Sequence, residues 1–177
     1  MQERPDHELM EGTRDGDQDA FAALIRRHQT PLLNFFRRLG ADNEAEDLVQ
    51  DVFLRLYRYR DRYTYSAKFT TFLYTLARHV WADRWRKLQR IFRIQERARQ
   101  EAAARSDGNM SRVQDRMDTL HALDQLPDKL RIVLVMSVCQ GLRYGEIGEV
   151  LGIPEGTVKS RVFMAMNKLK EYFHAQP

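Results

Sequence analysis

LRYGEIGEVLGIPEGTVKSRVFMAMNKL, residues 142–169, is the stretch whose reading decides the fold. Apolar residues recur at helical spacing on either side of one break. Ile147, Val150 and Leu151 fall on one face of a first helix, and Val158, Val162 and Leu169 on one face of a second. Gly152 marks the break, where a residue without a Cβ lets the chain take the left-handed conformation that ends a helix. Gly148 is small where the two helices cross closely, and Ile153 plugs the turn. Pro154 or Glu155 opens the second helix. Glu155, Thr157, Lys159, Ser160 and Arg161 then gather near its exposed N-terminal end, short and polar or cationic as entry into a DNA groove demands. This is the spacing of a helix-turn-helix. The alternative is a generic helical hairpin, which has no need of the glycine, the plug and the polar tip at those places. A helix-turn-helix alone indicates DNA, not which DNA.

The same helical rhythm extends through most of the chain. Phe21, Leu24, Ile25, His28, Leu32 and Phe36 form one face of a helix that Asp17 or Asp19 caps and Gly40 ends. A second helix starts near Asn43, with Ala45, Leu48, Val49, Val52, Phe53 and Leu56 as its apolar stripe and Glu46, Asp47, Gln50 and Asp51 towards the other side. A third runs from about Lys68 to Arg90. Phe69, Phe72, Leu73, Leu76 and Val80 supply its buried side, and Tyr74, Arg78, Trp81 and Trp85 a mixed one. A short helix is predicted around Leu9 and Met10. Residues 93–118 are poor in large apolar residues and contain the breaker run Ser106–Asn109, which predicts an exposed linker, helical before Ala104. Leu120, Leu123 and Leu126 then lead to Pro127, and a short apolar helix covers Leu130 to Val138. No β pattern or repeat appears. The fold class is therefore all-α: two small helical domains, 1–92 and 119–177, joined by a flexible linker over 93–118.

Composition narrows the function. The 177 residues are 43% hydrophobic and 31% charged, enough for a core. There is no run of 18 apolar residues, which argues against membrane insertion. The opening MQERPDHELMEG lacks a basic-then-apolar signal, and the single Cys139 excludes a disulfide framework within this chain. A cytoplasmic location is the expectation. Cys139 reads as a half-buried helical cysteine. The net charge of +4 is unevenly spread. Residues 1–54 hold 6 Lys+Arg against 12 Asp+Glu, residues 55–105 hold 14 against 4, and residues 106–177 hold 9 of each. An acidic third followed by a basic block predicts two partners of opposite character, the basic one facing a polyanion; a merely solvated basic helix is the alternative. An enzyme is a poor fit, because the five histidines are scattered and no nucleophile, base and orienting group can be nominated. No metal or cofactor is implied. A DNA-binding regulator that works without polymerase would need a sensor or receiver domain, and residues 1–92 show no β/α alternation.

These motifs, in this order, resemble the extracytoplasmic-function (group IV) sigma factors of bacterial RNA polymerase. GIPEGTVKSR (152–161) and LDQLPDKLRIVLVMSVCQGLRYGEIGEVLG before it are similar to the fourth sigma domain. AEDLVQDVFLRLYR (45–58) resembles the polymerase-binding part of the second domain, and KFTTFLYTLARHVWADRWRK (68–87) its promoter-reading part. The resemblance spans nearly all of residues 8–173. It implies a sigma factor that binds core RNA polymerase and directs promoter-specific initiation, under the control of an anti-sigma factor. It implies that Asp47, Gln50 and Asp51 dock on a basic coiled coil of the polymerase, which suits an acidic helix face. Tyr74, Arg78, His79, Trp81, Arg84, Trp85, Arg86 and Lys87 would read and open the minus-ten element, aromatic rings stacking on bases and cations neutralising phosphates. For Trp81 and Trp85, helical spacing alone leaves core and DNA contact equally open. Arg143, Glu155, Thr157, Lys159, Ser160 and Arg161 would read the minus-thirty-five element. Two departures stand out. His79 replaces the usual asparagine, expected in a short loop that pockets a flipped base, and Met164 and Met166 stand where arginines are common. The second implies a weaker, more shape-dependent upstream contact.

The implied promoter elements lie ~25 base pairs apart, or about 85 Å at ~3.4 Å per step. Two domain radii of ~11 Å leave roughly 60 Å to bridge. A 26-residue coil typically spans ~28 Å and at most ~88 Å. The linker reaches only when stretched, so polymerase is expected to set the domain separation, and the unbound domains are free to close on each other.

Overall fold

The computed structural model describes residues 4–64, 68–102 and 122–174, with the backbone alone over 95–102. Among them every regular element is helical. α1 is Asp6–Arg14, α2 Gln18–Arg38, α3 Ala45–Arg58, α4 Phe69–Ala102, α5 Asp128–Leu134, α6 Tyr144–Leu151 and α7 Glu155–His174. Short 3-10 turns at Asp42–Glu44 and Arg60–Arg62 flank α3, and the segment Val135–Cys139 after α5 is a π-turn.

Local chemistry sets the ends. The Asp17 carboxylate accepts the Ala20 N–H at 3.0 Å and starts α2. Gly40, at φ +95°, reverses the chain after Leu39. Asp6 accepts from Arg27 Nη1 at 2.5 Å and lies 3.0 Å from His28 Nε2, which fastens α1 to α2. Phe35, Phe36, Leu24, Leu32, Val52, Leu56, Leu73 and Val80 fill the core where α2, α3 and α4 meet. Val133, Met136, Ile147, Val150, Val158 and Ala165 fill a second centre among α5, α6 and α7.

The two halves are closed on each other. α4 packs along α6, and polar links tie the seam. Tyr74 donates its hydroxyl to Gln140 Oε1 at 2.5 Å, and Gln140 Nε2 donates to the Pro31 carbonyl at 3.4 Å. Lys68 Nζ meets Glu146 Oε1 at 2.5 Å. Arg131 donates to the Leu39 carbonyl at 3.2 Å. Burial holds the Tyr74 phenol far above its ordinary pKa, so it remains a donor.

The expected helices are present, with two differences. α4 continues to Ala102, ten residues past the boundary placed at 92, because residues 93–102 contain no Gly or Pro to stop it. The remainder of the expected linker, residues 103–118, lies outside the described residues, as does Leu120. Cys139 is exposed rather than half-buried. The wider π-turn produces this: Gln140 N–H reaches back to Val135 O at 3.2 Å, five residues away, and the turn bulges Val138 and Cys139 outward.

Candidate nucleic-acid interface

The helix-turn-helix is built as its spacing requires. Gly152 has φ +66° and ψ 38°, the left-handed cap of α6. A Cβ on Gly148 would lie 2.8 Å from the Ile153 carbonyl oxygen, so the turn closes directly over a residue that has none. Ile153 N–H donates to Gly148 O at 3.0 Å. Ile147, Val150, Val158 and Val162 are buried, while Leu151, Ile153 and Leu169 are half-buried. The other side of α7 stays free. Glu155, Lys159 and Ser160 are exposed at its N-terminal end, and Thr157 and Arg161 are partly so. Ser160 donates its hydroxyl to the Thr157 carbonyl at 3.0 Å and keeps its acceptor lone pairs outward. Arg143, exposed, precedes α6; its backbone N–H is accepted by Glu146 Oε2 at 2.8 Å. Burial disfavours the Glu146 charge, but Lys68 and that N–H outweigh it and hold the carboxyl below its ordinary pKa. Met164 and Met166 are exposed on the outer side of α7.

The aromatic and basic face of α4 divides in three. Trp85, Arg86, Lys87 and His79 are exposed, Arg78 and Trp81 are half-buried, and Tyr74 is buried. Tyr74 therefore does not reach DNA in the closed form: its ring packs edge-on against Phe35, with centroids 5.3 Å apart, and its hydroxyl is spent on Gln140. Arg84 is likewise not a free cation. It donates to Glu44 at 2.6 Å and lies over the Trp81 ring at 4.9 Å, its side chain only 15% exposed. It positions Trp81, which also leans on Phe36. Asp83 joins Arg55 at 2.6 Å and Arg86, and these hydrogen bonds lower its pKa. His79 sits inside α4, not in a loop, because the helix runs through it unbroken. Desolvation and then the neighbouring Arg78 and Arg55 charges lower its pKa, so the ring is neutral at pH 7. Arg78 Nη2 lies 2.8 Å from His79 Nε2; with that nitrogen accepting, the ring proton is on Nδ1.

On α3, Leu48, Val49, Val52, Phe53 and Leu56 are buried, and Asp47, Gln50 and Asp51 are all exposed. Leu54 falls on the same stripe as those three and is 64% exposed. It escaped the sequence reading, although an apolar residue out of phase with the buried stripe was the available signal. The exposed Ile91, Phe92 and Ile94 at the far end of α4 were missed for another reason: the segment was divided between a helix end and a linker.

Among the described residues no group of His, Cys, Asp and Glu could hold a metal, and no helix is long and apolar enough to cross a membrane.

Comparison with known proteins agrees with this arrangement. Sigma-70 region 2 matches residues 24–91, and Sigma-70, region 4 matches residues 116–169. The chain is 33% identical over 172 residues to ECF RNA polymerase sigma factor SigW of Bacillus subtilis (strain 168), covering 89% of this chain and 91% of that one. The fold is similar to CnrH, solved in complex with the cytosolic domain of CnrY, with TM-score 0.73 and 24% identity over 97% of this chain and 99% of that one. It is also similar to the sigma factor RpoE of Bartonella quintana, solved with the anti-sigma factor NepR, with TM-score 0.69 and 23% identity over 89% and 98%. The chain belongs to the extracytoplasmic-function RNA polymerase sigma factors, which bind core polymerase and promoter DNA and direct initiation rather than catalyse a reaction.

Proposed function

We propose that the steps of initiation are divided among three faces. α3 docks on core polymerase through Asp47, Gln50 and Asp51. α4 reads and opens the minus-ten element through Arg78, His79, Trp81, Trp85, Arg86 and Lys87, and Arg84 holds Trp81 in place. The α6–α7 pair reads the minus-thirty-five element through Arg143, Glu155, Thr157, Lys159, Ser160 and Arg161. The units involved are residues 1–92, extended by the helical residues 93–102, and residues 119–177. The closed form is the resting one. Polymerase draws the halves apart and frees Tyr74 to join the minus-ten face.

The observation that carries this reading is the division of α3. Its apolar side is buried, while every residue assigned to docking is exposed and acidic or amide-bearing, as a basic partner surface requires. An anti-sigma factor that grips the closed form is the matching control, supported by the similar sigma factor RpoE of Bartonella quintana, which was solved in complex with the anti-sigma factor NepR. The cytoplasm, where polymerase works, is the proposed location.

Reconstituted transcription with core enzyme on a promoter library tests the whole. Promoter-selective transcripts that disappear with Asp47→Lys are expected. Core binding by Asp47→Lys at the parent affinity refutes the docking face.

A further inference from the structure

Where the two halves meet, a hollow of about 460 Å³ lies between α2, the start of α4 and the end of the π-turn, a size that suits a small molecule. Thr30, Asn34 and Arg38 line it from α2, at positions i, i+4 and i+8 on one side of that helix. Thr70, in the first turn of α4, lines it as well. Cys139 and Gln140 complete it from the other half of the molecule. The Gln140 amide is already spent, accepting from Tyr74 and donating to the Pro31 carbonyl. The side chains of Thr30, Asn34, Arg38 and Thr70 are not: among the described residues none of them makes a hydrogen bond or an ion pair.

The walls therefore present one guanidinium, two hydroxyls and one amide with free hydrogen-bonding capacity, and no carboxylate. The guanidinium fork matches the oxygens of a phosphate or a carboxylate. The start of α4 adds the positive end of a helix dipole. The dipole of α2 accounts for a cation in its last turn, but not for the three uncharged side chains arrayed with it. Donors on two helices suit the three oxygens that a phosphate group holds out in three directions, rather than the two coplanar oxygens of a carboxylate. We propose that the hollow binds a phosphate group, free or carried on a small molecule, with Arg38 as its charged anchor and Thr30, Asn34 and Thr70 as neutral donors. Because Cys139 and Gln140 close the hollow from the other half, the bound phosphate favours the closed form and opposes polymerase. That second step rests on the reading of the closed form as the resting one.

Cys139, the single cysteine, is exposed on this hollow and reports its occupancy. The test uses the full chain, alkylation by N-ethylmaleimide, and inorganic phosphate or glycerol phosphate as the probe, with chloride holding the ionic strength constant. At ten times its dissociation constant, a phosphate that covers the thiol should slow alkylation ~10-fold and weaken apparent binding to core polymerase by a like factor. Arg38→Gln should need ~10-fold to ~100-fold more phosphate for the same protection, since the charge-assisted hydrogen bonds are lost. Arg38 has no partner among the described residues, so this variant should fold as the parent does, which a urea midpoint without phosphate checks. Half-protection at a lower concentration of glycerol phosphate than of inorganic phosphate assigns the site to a carried phosphate, and the reverse or equality assigns it to the free ion. Absent protection, or equal protection of the parent and Arg38→Gln, would overturn the site and leave the opening by polymerase standing, because that reading draws on α3 and the seam. Protection that depends on Arg38 but persists unchanged in the complex with core enzyme would keep the site, overturn its control of polymerase, and show that the halves stay closed.

Discussion

Replacing the four glycines of the helix-turn-helix by alanine, one at a time, should give effects of opposite sign. Helix propensity alone favours alanine over glycine by about 0.5–1 kcal/mol inside a helix. At Gly148 the new methyl would stand 2.8 Å from the Ile153 carbonyl oxygen, with the Glu155 amide nitrogen at 3.6 Å. Both are backbone atoms of the turn and cannot rotate away, so relief requires α6 and α7 to separate. Overpacking of this kind costs about 1–3 kcal/mol, and subtracting the propensity gain leaves a net loss of ~1–2 kcal/mol. At Gly152 there is open space, but φ +66° opposes a side chain, for a loss of ~1–2 kcal/mol. At Gly145 the nearest atom is Glu155 Oε2 at 3.5 Å, an ordinary contact, and at Gly156 nothing lies within 4 Å. Those two substitutions should be neutral or stabilising by up to ~0.5 kcal/mol. Urea unfolding followed by circular dichroism reads the order directly. In melting temperature Gly148→Ala should fall by ~2–8 °C, given ~2–4 °C per kcal/mol for a chain this size. A Gly148→Ala protein as stable as the parent would refute the close approach. A Gly145→Ala protein as damaged as Gly148→Ala would refute the claim that one position, and not the whole helix, meets the turn.

Other consequences can be checked with the same preparations. Asp47→Lys and Asp51→Lys should each weaken core polymerase binding at least ~10-fold in a co-sedimentation or anisotropy assay, with stability unchanged to within ~0.5 kcal/mol because both side chains are exposed. Tyr74→Phe should lower stability by about 1 kcal/mol in urea, since Gln140 Oε1 loses its donor at a part-buried seam; an unchanged midpoint would deny the seam its hydrogen bond. Burial opposes the Asp6 charge, but hydrogen bonds from His28 and Arg27 prevail and hold the carboxyl below 3.8. A depressed carboxyl contributes stability that is complete above the unfolded value and lost as pH falls through the folded one. Urea midpoints taken from about pH 5 to about pH 2 should therefore fall less steeply for Asp6→Asn than for the parent; identical slopes would contradict the linkage.

How much of this could be read in the chain itself varied with the kind of interaction. The helix-turn-helix was legible because its determinants are local: Gly148, Gly152 and Ile153 fall within six residues, and each does one steric job. The α3 stripe was legible for the same reason, since burial at Leu48, Val52 and Leu56 follows a single period. Tyr74 was not legible. Its position on the mixed face of α4 suggested DNA, but the residue that claims its hydroxyl, Gln140, is 66 positions away. Periodicity reports which side of a helix is unusual and does not report which distant segment will cover it. Arg84 illustrates the same limit through charge. A cation in a basic block looks free until the fold brings Glu44 within 2.6 Å. The exposure of Cys139 depended on the register change of one π-turn, which leaves no mark in composition. The far end of α4 was read as helical before Ala104 but assigned to the linker, because few large apolar residues follow Ile94 to mark it as a continuation of the same helix.

The added length of α4 changes how the chain between the two reading domains behaves under insertion. Residues 93–102 rise only ~15 Å as helix, and residues 103–118 can extend at most ~55 Å, so the total of ~70 Å still exceeds the gap with little slack. A coil registers an inserted residue merely as distance. A helix registers it as an angle as well, swinging everything downstream by ~100° about the axis. One extra residue between Phe92 and Ala102 should therefore misdirect the exit of the chain, whereas seven, close to two whole turns, should nearly restore its bearing.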